Sequence, residues 1–176
     1  MKNQIYLNTI PDNEYSQAIS YYSNKSYKGE TLTEVFENTT QEMISFIKNI
    51  PKDKFGYRYG SGKWTIREVI QHIISYEQIM SERAQIVAGR NIEQKHTIYY
   101  NQSTTVAPAK DKTKIELLEE FRNVRTKTQE LFENFSQQEL IVLGTLDGFK
   151  TSVRMIGMCI SGHQKHHFEV IKERYL

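Results

Sequence analysis

The sequence predicts an all-α protein built as a four-helix bundle. Apolar residues recur at helical 3/4 spacing, and no period-2 strand stands out. Helix starts carry capping signals, and glycine and proline are sparse, at 9 and 3 of 176 residues. Four helical segments, with one long crossover between the second and third, make a four-helix bundle.

Residues 1–29 are polar and tyrosine-rich, and are read as a loose lead-in with one short helix. The bundle domain then covers 30–176. Its first helix is expected from about Leu32 to Lys48, where Leu32, Val35, Phe36, Met43, Phe46 and Ile47 make one apolar face. The second opens at "KWTIREVI". Thr65 can cap, Glu68 completes a capping box, and Trp64 can pack on Val69 as a hydrophobic staple. It runs to about Ala88, with Gly89 as a natural stop. Residues 90–111 are a polar crossover, longer than connections usually are. The third helix spans about Lys112 to Asn134. Ser136 and Glu139 then suggest a second capping box and a short helical turn. "GTLDGFK", 144–150, reads as a loop, and the last helix runs from about Ser152 to Arg174.

Bulk properties exclude several classes of function. The formal net charge is +2, and the basic residues are scattered, so no nucleic-acid or anionic-membrane partner is implied. The start of the chain has no signal-peptide run, and no stretch reaches the ~18 apolar residues of a membrane span. Cys159 is the only cysteine, which rules out an intrachain disulfide and suits a reducing cytoplasm.

The chemistry concentrates in "SGHQKHHFEV", which holds three of the five histidines. Ile156, Ile160, His163, His167, Val170 and Arg174 form the core-facing stripe of the last helix. His163 and His167 are offset by ~40° and ~6 Å along the axis, which suits two imidazoles meeting at one ion. His166 falls ~60° to the other side, at the rim. On the second helix, Val69, His72, Tyr76, Met80 and Arg83 form a similar stripe. His72 reaches the same depth if the two helices are antiparallel neighbours. Three neutral core-facing imidazoles suit Zn²⁺ or Ni²⁺ and leave a position for water, as catalytic sites do.

Other residues have plainer readings beside the functional one. Cys159 is too far from His167 to share an ion and reads as a small buried hydrophobe. Glu68 can orient His72, although its cap already explains it. Tyr76 is either a hydrogen-bonding helper or aromatic packing. Arg83 either binds an anionic substrate or, the simpler reading, pairs with a glutamate such as Glu169. His96 in the crossover and Arg122 to Arg125 read as solvated.

Two stretches together carry a family resemblance. "KWTIREVIQHIISYEQIMSERAQIVAGR" resembles the second helix of the DinB-like superfamily, and "SVRMIGMCISGHQKHHFEVIKERYL" resembles its last helix. The resemblance covers about Leu32 to Leu176. It implies a DinB/YfiT-like four-helix bundle, often dimeric, with a divalent metal held by three histidines. Carried onto this chain, those are His72, His163 and His167. Characterised relatives include transferases that use low-molecular-weight thiols such as bacillithiol or mycothiol, and a thiol-dependent isomerase; others are called metal-dependent hydrolases. The resemblance therefore leads to two expectations. One is a metal-dependent thiol transferase or hydrolase acting on a small molecule, possessing no obvious general base, with Arg83, Tyr76 and His166 as helpers. The other is a non-catalytic, metal-stabilised stress-response or binding module.

Overall fold

The computed structural model describes residues 10–26, 30–90, 112–146 and 148–176. The expected crossover at 90–111, including His96, lies almost wholly outside the described residues, as does the start of the lead-in.

The protein is mostly helical. Helices α1 (Gln17–Ser23), α2 (Leu32–Asn49), α3 (Ile66–Val87), α4 (Lys114–Glu133), α5 (Gln137–Leu140) and α6 (Val153–Arg174) are joined by a hairpin of β1 (Leu143–Leu146) and β2 (Phe149–Ser152). Four of the helices start at capping boxes. Thr31, Thr65, Thr113 and Ser136 each accept from the backbone N–H three residues on, and Glu34, Glu68, Glu116 and Glu139 reach back to complete the boxes. Each box satisfies N–H groups that the first turn would otherwise leave open.

The long helices contact one another in a ring: α2 packs on α4 and α6, and α3 on α4 and α6. Two apolar clusters fill the interior. Phe36, Phe132, Met155 and Ile156 anchor one, and Ile47, Ile70, Phe121 and Ile171 the other. The helix faces read from the sequence are mostly the buried ones, but Phe46 sits at the edge, stacked on Phe168 at 4.5 Å, and on α6 the expected stripe fails at its end: Val170 is half-buried and Arg174 exposed, while Phe168 and Ile171 turn inward. Among the described residues no helix is long and apolar enough to cross a membrane.

Three expectations are corrected. The stretch 144–150 is not simply a loop: Leu143 pairs with Ser152 and Leu146 with Phe149, around Gly148 at φ 84°. Strands of four residues are too short to display a period, and the two glycines concealed them. Residues 10–26 are not loose. Helix α1 lies along α6, and a Cβ at Gly162 would collide with the Tyr22 carbonyl, so only glycine permits this approach. The Glu14–Arg154 ion pair, the 2.8 Å bond from the Ser16 N–H to the Lys150 carbonyl and the Lys25–Glu169 pair at 2.6 Å hold the segment in place.

The third correction concerns Arg125, which is not solvated but 1% exposed. Its Nε and Nη2 donate to the two Glu77 carboxylate oxygens at 2.7 and 2.8 Å. Nη2 also donates to Gln164 Oε1 at 2.9 Å, and Nη1 to Thr39 Oγ1 at 2.7 Å. One guanidinium thus ties together α2, α3, α4 and α6. Arg122, three residues earlier, is exposed as expected.

Candidate metal centre

Helices α3 and α6 run antiparallel. Tyr175 near the end of α6 donates to the Trp64 carbonyl just before α3, at 2.8 Å, while Met80 and Arg83, late in α3, share a cavity with Cys159, early in α6. That arrangement brings His72, in the second turn of α3, level with His163 and His167. His163 Nε2 lies 3.1 Å from His72 Nε2 and 3.1 Å from His167 Nε2. Among the described residues these three are the one group of His, Cys, Asp or Glu close enough to hold an ion.

The donor set fits a divalent metal. Two nitrogens bound tetrahedrally at ~2.0–2.1 Å stand about 3.3 Å apart, close to the spacing seen here. Three imidazole nitrogens aimed at one point repel unless protons or a cation lie between them. Protons are disfavoured at this position. His163 is enclosed, and burial, followed by the neighbouring His167 and His72, holds it well below the usual 6.5. His167 is pushed down to about 3, by burial first and then by His72 and His166. The His163 and His167 rings are therefore neutral at pH 7 and present lone pairs, as metal ligation requires.

Packing, rather than a carboxylate, sets the orientation of His163. Its ring stacks on Tyr76 at 3.6 Å and 12°, with the Tyr22 ring edge-on at 5.0 Å. Its Nδ1 is buried and has no hydrogen-bond partner, where ligating histidines usually donate to a carboxylate or carbonyl. Trp64 covers the His72 ring at 4.8 Å, the other flank of the group. So Trp64 closes the site as well as starting the helix.

The remaining candidates separate cleanly. His166 flanks the group, with its ring against Tyr21, Tyr22 and His167. Glu68 is engaged at the cap, accepting from the Thr65 N–H at 2.6 Å. Cys159 is buried; its thiol donates to the Ile19 carbonyl at 3.5 Å, and burial pushes it up to about 12, so it is no nucleophile at neutral pH. Arg83 lines the cavity of Met80 and Cys159, away from Glu169, the glutamate offered as a partner. That carboxylate holds Lys25, and it lies ten residues, ~15 Å, along α6 from Cys159, which lines the same cavity as Arg83. Tyr22 was missed from sequence, because nothing in the lead-in signals that its helix docks on α6.

The neutral histidines predict how stability varies with pH. Their folded values lie below the unfolded value, so the unfolded chain binds more protons at acid pH. Metal-free protein should have full stability above pH 6.5 and lose it as the pH falls toward about 3. Carboxylates with lowered values, such as Glu34 and Glu116, enter only below 4.5, so urea midpoints at pH 7 and pH 5 report the histidines. The His163→Leu variant should lose less between those two pH values. An equal loss in both proteins would contradict the assignment.

Residues 36–171 match the DinB superfamily, and the chain belongs to that family. No curated protein and no solved structure matches it significantly.

Proposed function

We propose that the protein is a divalent-metal-dependent enzyme of the DinB/YfiT type, acting on a small molecule by thiol transfer or hydrolysis. Its long helices α2, α3, α4 and α6 are read as the family's four-helix bundle, and the working form as a cytoplasmic homodimer. The observation that carries the reading is the convergence of His72, His163 and His167, two of the contacts being 3.1 Å. These three residues would hold Zn²⁺ or Ni²⁺. When bound, such an ion lowers the pKa of a thiol or water and polarises a carbonyl.

The chain's own residues supply the setting. Tyr76 and Tyr22 fix the His163 ring, Trp64 shields His72, and burial keeps His163 and His167 unprotonated. His166 stands at the rim, half-buried, where it can meet a bound molecule. The low-molecular-weight thiol is the expected cosubstrate. A cavity that shares Tyr22 and Tyr76 with the histidine site favours this catalytic reading over a purely stabilising metal.

The test is a screen of low-molecular-weight thiols against small electrophiles, and of hydrolysable esters and amides, using chelator-stripped protein before and after reloading. Turnover should appear only after reloading. Stoichiometric metal with no turnover in either panel would favour the non-catalytic module instead.

A further inference from the structure

No hydrogen bond orients the central ring of the metal centre. Ligating histidines usually donate their second ring nitrogen to a carboxylate or carbonyl, but His163 Nδ1 is buried and has no partner. The ring direction therefore depends on the Tyr76 stack and on where α6 places the residue. Both are gripped from a third helix. Glu77 follows Tyr76 on α3, and Gln164 follows His163 on α6. Arg125, on α4, holds the two together: Nε and Nη2 donate to Glu77 at 2.7 and 2.8 Å, and Nη2 donates to Gln164 Oε1 at 2.9 Å. Gln164 Nε2 in turn donates to the Thr39 carbonyl at 2.7 Å, which ties α6 to α2. All four residues are buried.

We propose that Arg125, Glu77 and Gln164 are positioning residues of the metal centre: they fix the register of α3 against α6, and with it the approach of His163 to His72. The proposal rests on the metal-enzyme reading for the purpose of that register, though not for the register itself. Stability alone does not account for the network, because apolar residues of similar volume often replace a buried ion pair without loss. The best-attested use of buried polar groups is to select one register among apolar packings that would otherwise compete. Register is what this site requires. Metal–ligand distances tolerate errors of about 0.2 Å. A slip of one residue moves a helix ~1.5 Å along its axis and turns it ~100°. Successive residues diverge by the same ~100°, so the network grips the flank of each ligand-bearing helix without entering the site. The planar fork of arginine suits this task, since it meets both Glu77 oxygens in one fixed geometry and still reaches α6.

The test separates register from stability. Zn²⁺ affinity of the chelator-stripped full chain is measured for the wild type, Arg125→Met/Glu77→Leu and Leu140→Ala, alongside urea unfolding of each. Leu140 is buried on α5, which carries neither a histidine ligand nor a network residue. Leu140→Ala should lose stability and keep its Zn²⁺ affinity within twofold. The double variant should bind Zn²⁺ at least tenfold more weakly than the wild type, although it restores apolar packing. Gln164→Met leaves the Arg125–Glu77 pair in place and should weaken Zn²⁺ at least threefold; it serves alone should the double variant not fold. NMR of the metal-free proteins adds a second readout. The Tyr76 ring, stacked at 3.6 Å, should shift the His163 ring protons upfield in the wild type, and less so in both network variants. The proposal is overturned if a folded network variant keeps the wild-type Zn²⁺ affinity or the wild-type ring shift, or if Leu140→Ala weakens Zn²⁺ as much as the network variants do. A wild type that takes up no Zn²⁺, but whose ring shift is lost in the network variants, would uphold the positioning and refute only the metal reading. Equal Zn²⁺ binding by wild type and network variants would do the reverse.

Discussion

Replacing Arg125 by methionine should destabilise the protein by about 3–5 kcal/mol, the usual cost of leaving one member of a buried ion pair uncompensated. Glu77 is as deeply buried as its partner, at 1% exposure, so water cannot take over the lost contacts. The substitution also strips the donors from Gln164 Oε1 and Thr39 Oγ1. Methionine matches the length of the arginine stem and can occupy the space between Phe36 and Phe121, whose rings flank the guanidinium at 5.2 and 5.0 Å. The loss should therefore come from unpaired polar groups rather than from a void. The double variant Arg125→Met/Glu77→Leu separates the two causes. It removes both charges and should recover more than half of the loss, as buried pairs replaced by apolar residues commonly do. Urea unfolding of the two variants measures this. A double variant as unstable as the single one would place the cost in packing instead.

The second large effect is expected at His163. His163→Ala removes the central member of the group, whose Nε2 is the one with a 3.1 Å contact to both others. The two remaining imidazoles would still face each other, but two-ligand sites hold divalent ions far less tightly than three-ligand ones. Wild-type protein at a metal concentration a thousandfold above its Kd gains about 4 kcal/mol of stability by mass action. The variant should gain nothing measurable under the same conditions. Thermal melts with and without added Zn²⁺ give the comparison, and equal stabilisation of both proteins would refute the assignment.

How far the sequence reveals this molecule depends on the length of its signals. The long helices were legible because they carry several turns of apolar periodicity, and the Thr65–Glu68 capping box marked the start of α3; the boxes at Thr31 and Thr113 went unread. His72, His163 and His167 were legible for the same reason: helical spacing placed each on a core stripe, and the antiparallel packing of α3 and α6 then brought them together. Arg125 was not. A charged residue on an otherwise polar stretch looks solvated until its partner is known, and Glu77 is 48 positions away. The hairpin was too short to show alternation. The docking of α1 depends on a single glycine, Gly162, inside a helix, where sequence alone offers no reason for its presence. Local periodicity was readable, whereas pairings between distant polar residues and close backbone approaches required the fold.

The central claim is that three histidines from two helices hold one divalent ion. Equilibrium dialysis of chelator-stripped, tag-free protein against Zn²⁺ tests it most directly. The account predicts one ion per chain for the wild type and none for His163→Ala. A wild-type protein that takes up no stoichiometric ion, or a His163→Ala variant that takes up as much as the wild type, would contradict it.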